Sequence, residues 1–329
     1  MILLLIHLQQ DCEPMIDVII RNKIAETANI VSFELAAKNG ENLPEFETGS
    51  HIDVVIDGDI TRQYSLINHS QSNQFYKIAV LKDPDSRGGS LALHDKIKIG
   101  DIVSISEPRN LFPLDVSSNK VLLFAGGIGI TPIMSMAIQL DALSIDFELH
   151  YHTKSQEQTA FYQQLLNSSF ASKVYFHFSD KPKQDLKQLI GEFQQGMNLY
   201  TCGPSGYMEH VFACAKANLW QDEHLHKENF KAEPLVSDGT DKPFKIILTR
   251  SGLEIDVATD QTALEAIEDA GVEIDMSCEM GVCGTCVTAV TGGIPDHRDA
   301  FLSAQEKAKN NQFTPCCSRA LSDSLTLDL

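Results

Sequence analysis

Cys278-Glu-Met-Gly-Val-Cys283-Gly-Thr-Cys286 is the stretch from which the rest of the chain can be read. Four residues separate the first two cysteines and two separate the next pair. That is the plant-type spacing for a 2Fe–2S cluster, which needs a fourth cysteine far downstream. Cys316 and Cys317 are the candidates for it. Gly281, Gly284 and Thr285 are small or flexible, so backbone amides can turn toward sulfur and offset its negative charge. A structural zinc site is the competing interpretation. Zinc sites usually bring two close cysteine pairs, and the run here fits a cluster better. The chain has eight cysteines, and five fall within its last 52 residues. Clustering at one end of a long chain favours ligands over disulfide staples.

Upstream, residues 262–270 read as a short helix stopped by Gly271, and 244–249 with 253–257 as a hairpin turning at Ser251–Gly252. Residues 324–329 alternate as a closing strand, and 237–243 are polar and linker-like. Further upstream, Ala125-Gly-Gly-Ile-Gly-Ile-Thr-Pro132 follows the apolar run 121–125, which reads as a buried parallel strand. Pro132 suits the start of a helix. Glycines between a strand and a helix let a phosphate approach backbone amides, although the spacing is not the strict Rossmann one. A tight glycine turn without a ligand is the plainer alternative. Strand candidates at 147–151, 174–178 and 199–202 alternate with helix-length segments, as in an α/β domain with a parallel sheet. Cys202-Gly203-Pro204 ends the last of them, where open parallel sheets bind ligands; a small core residue is the alternative for Cys202.

The first part of the chain is dense in short strands, at 15–36 with a break near 22–27, then 51–57, 61–67 and 75–81, with turns at Gly58 and 70–73. This suggests a barrel or sandwich. Within it, Arg62-Gln-Tyr-Ser-Leu66 offers a planar cation for phosphate at Arg62, a flat face at Tyr64 and a hydroxyl at Ser65. Gly88-Gly89-Ser90 reads as a phosphate-cradling turn or simply a capped helix start. His51, His94 and His150 are read as structural.

Composition limits what the chain can be. It has 329 residues, 43% hydrophobic and 22% charged, enough for two or three domains with buried cores. A formal net charge of −19 disfavours nucleic-acid binding. No stretch approaches the roughly 18 apolar residues of a membrane span. The apolar start, residues 1–8, lacks a basic flank and a cleavage site, so we expect a strand or a frayed terminus and a cytoplasmic location.

Taken in order, Arg-x-Tyr-Ser-Leu, Gly-Gly-Ser, Gly-Gly-Ile-Gly-Ile-Thr-Pro, Cys-Gly-Pro, the ferredoxin cysteines and Gly-Gly-Ile-Pro-Asp-His-Arg-Asp299 make the chain resemble the phthalate dioxygenase reductase family, most of all its vanillate demethylase-type reductase subunits. The resemblance runs from about Met15 to Leu329. It implies a multidomain fold: a flavin-binding β-barrel, ferredoxin reductase-like, over 1–115; an α/β parallel-sheet nucleotide domain over 116–236; and a β-grasp plant-type ferredoxin domain over 237–329. By that resemblance Arg62, Tyr64, Ser65, Gly89 and Ser90 hold FMN, and Phe230 lies against the flavin. Gly126, Gly127, Gly129, Thr131, Cys202, Gly203 and Pro204 line the NADH site, with Ser65 and Cys202 at the point of hydride transfer. Cys278, Cys283, Cys286 and Cys316 hold the cluster, Cys316 because it stands in register with Ser318-Arg319-Ala320. Lys154 is placed to meet a 2′-phosphate, so NADPH is the second choice beside NADH.

The implied function is that of a reductase, working as a monomer, that passes electrons from NADH through FMN and the cluster to a Rieske-type aromatic oxygenase or demethylase. NADH yields two electrons and a cluster accepts one, so a flavin belongs between them. A self-contained flavin oxidoreductase acting on a small substrate and a nonenzymatic iron–sulfur sensor are the alternatives. Residues 251–280 carry nine acidic residues and no Lys or Arg. Residues 241–329 hold 7 basic and 15 acidic residues, a formal −8. We therefore expect the oxygenase to dock at an acidic ferredoxin domain.

Overall fold

The computed structural model describes residues 15–56, 60–69, 73–84, 88–182, 184–230 and 241–329. The expected start at 1–8, the turns at Gly58 and 70–72, and residues 237–240 of the expected linker lie outside them.

The first sheet has seven strands: β1 (Ile16–Thr27), β2 (Ile30–Ala37), β3 (Ser50–Ile56), β4 (Ile60–Ser65), β5 (Tyr76–Leu81), β6 (Ile102–Ile105) and β7 (Arg109–Asn110). They run in the order β4-β3-β6-β1-β2-β5, with β7 on β3. The pairs β1–β2, β1–β6, β2–β5, β3–β4, β3–β6 and β3–β7 are antiparallel. The two end strands, β4 and β5, also meet, which curls the sheet toward a barrel. Val18, Ile20, Phe33, Leu35, Ile52, Val54, Ile78 and Val80 recur two apart along their strands and share one core, the period of two that sets the face of a strand. Helix α1 (Gly89–Asp95) adds Ala92 and Leu93 to that core. The break expected near 22–27 lies instead after Thr27. β1 carries register shifts at Ile20/Asn22 and Ala25/Thr27. Such bulges break alternation without ending a strand.

The second sheet has the order β10-β9-β8-β11-β12. Its strands are β8 (Lys120–Gly126), β9 (Asp146–Thr153), β10 (Val174–Phe178), β11 (Met197–Cys202) and β12 (Leu225–Glu228). β8 pairs parallel with β9, and β9 with β10. Between them run α2 (Ile130–Ala142), α3 (Tyr162–Leu166), α4 (Leu186–Ile190) and α5 (Ser205–Lys216). β8 and β11 are buried almost throughout, as expected of strands covered on both faces.

The third region holds β13 (Phe244–Leu248), β14 (Glu254–Val257), α6 (Ala263–Asp269), β15 (Thr288–Gly292), β16 (Pro295–Asp296), α7 (Ala304–Lys309), β17 (Gln312–Phe313), β18 (Arg319–Ala320) and β19 (Ser324–Leu327). β13 and β14 form the expected hairpin. β19 pairs parallel with β13, so this sheet, ordered β14-β13-β19-β15-β17, is mixed. Ala263, Ala266 and Ile267 of α6 pack into its core with Ile246, Leu248 and Leu325, a helix laid across a mixed sheet in the β-grasp manner. Thr262 and Glu265 close a capping box at the start of α6.

The chain divides into two compact units. One comprises the described residues of Met1–Thr201 and Cys214–His226, and the other those of Cys202–Ala213 and Lys227–Leu329. Among the described residues no helix is long and apolar enough to cross a membrane.

Candidate functional site

In the first unit, Arg62 lies on β4 and its stem rests on Gly89, the first residue of α1. A Cβ on Gly89 would stand 2.8 Å from Arg62 Cγ and 3.3 Å from its Nε. The close approach brings the guanidinium to the N-terminus of a helix whose cap residue, Gly88, is left-handed at φ 100° and donates no side chain. A planar cation beside helix N-terminal amides is chemically fit for a phosphate. Arg62 NH1 also donates to Thr61 O at 2.7 Å. Ser90 Oγ accepts from the Asp83 amide at 3.2 Å, so one of its lone pairs is already engaged. Tyr64 packs against the barrel core and burial pushes its phenol up, which keeps it neutral. Ser65 is buried at the end of the strand, opposite His51. Burial, then the charge of Arg109, pulls His51 down to about 4.

The glycine turn follows β8 as expected. Only one of its three glycines is required by conformation. Gly127 has φ 56°, whereas Gly126 is extended and Gly129 is helical. Nothing lies within 4 Å of a Cβ at Gly127. Its carbonyl accepts from Tyr151 Oη at 3.1 Å, while Thr131 Oγ1 ties back to Ile128 O at 3.1 Å. Pro132 sits in the first turn of α2, which carries no acidic side chain. An open backbone turn at an uncapped, carboxylate-free helix start suits a diphosphate.

In the second unit, Cys202 ends β11, and its side chain is fully buried, 0% exposed. Burial raises its thiol well above the usual range and keeps it protonated, so it is no nucleophile. Gly203 and Pro204 lead into α5, where Pro204 O accepts from the amides of Tyr207 and Met208. Phe230 follows β12 and is half-buried.

The four expected cluster cysteines form two pairs. The thiols of Cys278 and Cys283 are hydrogen-bonded to each other, and so are those of Cys286 and Cys316. All four are buried. Among the described residues no three His, Cys, Asp or Glu side chains gather as for a single metal ion. Four buried thiols in two pairs match the ligand set of a 2Fe–2S cluster, two to each iron. The loop is wound by left-handed residues, Glu279 at φ 52°, Gly281 at 69° and Gly284 at 75°. Such turns aim successive amides inward. The Met280 amide donates to Cys278 Sγ and the Thr285 amide to Cys283 Sγ, each at 3.4 Å. Both glycines are also packed against. A Cβ at Gly284 would stand 2.2 Å from the Phe301 ring, and one at Gly281 would stand 2.4 Å from Cys317 Sγ.

Cys316 and Cys317 thus differ in what they meet. Cys316 shares hydrogen bonds with both Cys286 and Cys317, whereas Cys317 Sγ also meets Thr314 Oγ1 at 3.3 Å and lies 3.8 Å from Ser318 Oγ. The Ser-Arg-Ala that set the register also acquires a physical role. Arg319 is buried and donates to the carbonyls of Gln261, Ala258 and Lys242, which locks the segment after Cys316 onto the start of α6.

Two features were not anticipated from the sequence. The first is a row of stacked rings across β8, β9 and β10. Phe124 and His150 lie 4.8 Å apart, His150 and Tyr175 5.0 Å, and His152 and His177 4.3 Å. His150 Nδ1 and His177 Nε2 share a hydrogen bond of 3.1 Å. His150 packs within this row, and His94 Nε2 meets Val80 O at 2.9 Å. The second is the stretch from Pro295 to Asp299, where Asp299 is buried between half-buried neighbours and Leu302.

The 2Fe-2S iron-sulfur cluster binding domain matches residues 246–321. Vanillate O-demethylase oxidoreductase of Pseudomonas sp. (strain HR199 / DSM 7063) is 48% identical over 318 residues, covering 96% of this chain and 100% of that protein. Phthalate dioxygenase reductase of Burkholderia cepacia is 39% identical over 324 residues, covering 96% of this chain and 99% of that protein. The chain belongs to the phthalate dioxygenase reductase family. A solved phthalate dioxygenase reductase, described as a modular structure for electron transfer from pyridine nucleotides to [2Fe-2S], superposes with a TM-score of 0.75 at 37% identity, covering 96% of this chain and 98% of that one. The family's fold, with a ferredoxin reductase-like part and a C-terminal iron–sulfur domain, is the fold of this chain.

Proposed function

We propose that this chain is the reductase component of a two-component Rieske-type oxygenase or demethylase, carrying electrons from NADH through FMN and a 2Fe–2S cluster. The observation that carries this is the set of two buried thiol pairs, in a chain that also holds a glycine turn and an Arg-bearing barrel. When bound, a flavin converts a two-electron hydride donor into a source of single electrons, and a cluster passes them on one at a time.

The residues divide the work. Arg62, Gly89 and Ser90 hold the flavin phosphate. Tyr64 flanks the ring, and Ser65 bonds its edge. Gly126, Gly127, Gly129 and Thr131 receive the dinucleotide phosphates, and Cys202, Gly203 and Pro204 bound the nicotinamide end. The neutral thiol of Cys202 offers bulk without charge there, which suits a ring that gains positive charge as it loses hydride. Cys278, Cys283, Cys286 and Cys316 hold the cluster, with the amides of Met280 and Thr285 offsetting its charge. We assign 1–115, 116–236 and 237–329 to the three tasks in turn. Lys154 leaves NADPH as a second donor. All three sets lie on one chain, which favours a monomer, and the seven described cysteines are free, which favours the cytoplasm.

The partner's substrate is recognised by the partner. Relatives named for vanillate, carnitine and phthalate share this architecture, which favours a Rieske-type acceptor of unspecified substrate. The acidic residues 251–280 steer a basic patch of the acceptor, because complementary charge raises on-rates. Stopped-flow mixing with NADH and a Rieske oxygenase component across a salt series tests this. Acceptor reduction should slow as salt rises, while internal flavin reduction changes little. An acceptor that is never reduced favours the self-contained oxidoreductase, and a rate flat with salt removes the acidic docking face.

A further inference from the structure

Cys317 is a further buried thiol beside the four that form pairs, 4% exposed and one residue past Cys316. It packs in one apolar cluster with Cys286, Cys316 and Leu264. From another side it is pressed against Gly281, in the loop that carries Cys278 and Cys283, since a Cβ there would stand 2.4 Å from its Sγ. The Ala300 amide donates to Gly281 O at 2.9 Å and helps hold that loop in place. The thiols of Cys316 and Cys317 are hydrogen-bonded to each other. The extra sulfur thus lies against both thiol-bearing stretches and meets the fourth ligand.

The hydrogens around it can be assigned. The Arg298 amide donates to Ser318 Oγ at 3.1 Å. Ser318 Oγ lies 2.9 Å from Thr314 Oγ1, and the two oxygens lie 3.8 Å and 3.3 Å from Cys317 Sγ. Thr314 and Ser318 are 0% and 1% exposed. One hydroxyl hydrogen joins the two oxygens, and the other is left for Cys317 Sγ, whichever way the pair is oriented. The sulfur accepts from a hydroxyl, so its own hydrogen needs an acceptor. Thr314 O lies 3.9 Å away, but its two lone pairs already take the amides of Cys317 at 3.2 Å and Ser318 at 2.9 Å. Cys316 Sγ remains. An iron-bound cysteine is a thiolate, so with a cluster in place the hydrogen between the two sulfurs belongs to Cys317. A charged sulfur also draws that hydrogen more strongly than a neutral hydroxyl does.

We infer that Cys317 donates its S–H to Cys316 Sγ and thereby makes the cluster easier to reduce. Arg298, Ser318, Thr314 and Cys317 form one line of donors that ends on a ligand sulfur. Hydrogen bonds to such sulfurs help set cluster potentials, because a donor stabilises the negative charge added on reduction. The electron comes from NADH through the flavin, the hydrogen stays on Cys317 throughout, and no bond forms or breaks there. Cys317 is a positioning residue that acts through Cys316. The inference rests on the cluster reading above.

The test is an EPR-monitored redox titration of the full-length holoprotein and two variants. Cys317→Ala removes the donor. Its reduction equilibrium should weaken about tenfold, a midpoint lower by about 59 mV for one electron. Cys317→Ser keeps a donor and should recover most of that shift. Alanine and serine are both smaller than cysteine, so a role in packing would move the two variants alike. The infrared S–H band that Cys317→Ser lacks should move to lower frequency when the wild type is reduced, as its hydrogen bond strengthens; this readout stands even where Cys317→Ala fails to keep its cluster. An unchanged midpoint in Cys317→Ala, equal shifts in both variants, or an S–H band that does not move on reduction overturns the inference. A wild-type protein with no 2Fe–2S signal would instead overturn the cluster reading itself.

Discussion

Gly281→Ala probes how tightly the thiol loop closes on its surroundings. The residue has φ 69°, a conformation that costs a residue with a Cβ about 1–2 kcal/mol. The new Cβ would stand 2.4 Å from Cys317 Sγ and 3.0 Å from Asp299 Cα. Neither can yield like the end of a long side chain. The sulfur is buried and held by Thr314, and the carbon is backbone. Overpacking of this kind costs about 1–3 kcal/mol, so the whole penalty should be about 2–5 kcal/mol. In a Cys317→Ala background the sulfur is gone, but the backbone strain and Asp299 remain. The penalty should then shrink by about 1–2 kcal/mol, an interaction energy typical of side chains in contact. The assay is the rate at which visible cluster absorbance is lost in fixed urea, for the four members of the cycle. Gly281→Ala should lose it roughly thirtyfold faster or more, and the double variant should recover about tenfold. An unchanged rate in Gly281→Ala, or an equal penalty in both backgrounds, would refute the packing argument.

Cys317→Ser should keep the cluster spectrum and Cys316→Ser should lose it, because Cys316 shares a hydrogen bond with Cys286 while Cys317 is tied to Thr314; the opposite result would move the ligand by one residue. Arg62→Ala should weaken FMN by about 1.5–3 kcal/mol, one to two decades in affinity, and leave the cluster spectrum intact; isothermal titration of the apoprotein decides, and unchanged affinity would place the phosphate elsewhere. Burial, then the neighbouring charge of His177, pulls His150 down to about 4. As pH falls below the ordinary histidine value the unfolded chain therefore binds the proton first. Stability from this site is complete above about pH 6.5 and drains toward pH 4, by up to about 1.4 kcal/mol per pH unit. Urea melts followed by the single tryptophan, Trp220, should show that acid limb, and His150→Phe should make it shallower, with buried His51 and His152 supplying the rest.

What could be read from the sequence was local. The cysteine spacing, the glycine turn and the short helix at 262–270 each lie within nine residues or fewer. Most strands fell within one to three residues of their expected bounds. Where β1 and β2 divide was misjudged because bulges inside β1 interrupt the alternation that marks a strand. What could not be read depends on residues far apart in the chain. Cys317 Sγ packs on Gly281, the His297 segment bridges two loops, and histidines from β9 and β10 stack side by side. The resemblance prefers Cys316 to Cys317 by register; the fold adds that Cys316 meets Cys286 while Cys317 also meets Thr314. The motif glycines were legible as a group, but not that Gly127 alone is left-handed among the three that follow β8.

An anaerobic titration of the holoprotein with NADH, followed by its visible spectrum, tests the central claim most directly. Flavin and cluster absorbance should bleach together as NADH is added, with the EPR signal of a reduced 2Fe–2S cluster appearing alongside. Bleaching of the flavin with a cluster that stays oxidised, or no bleaching at all, would contradict the electron path proposed for this chain.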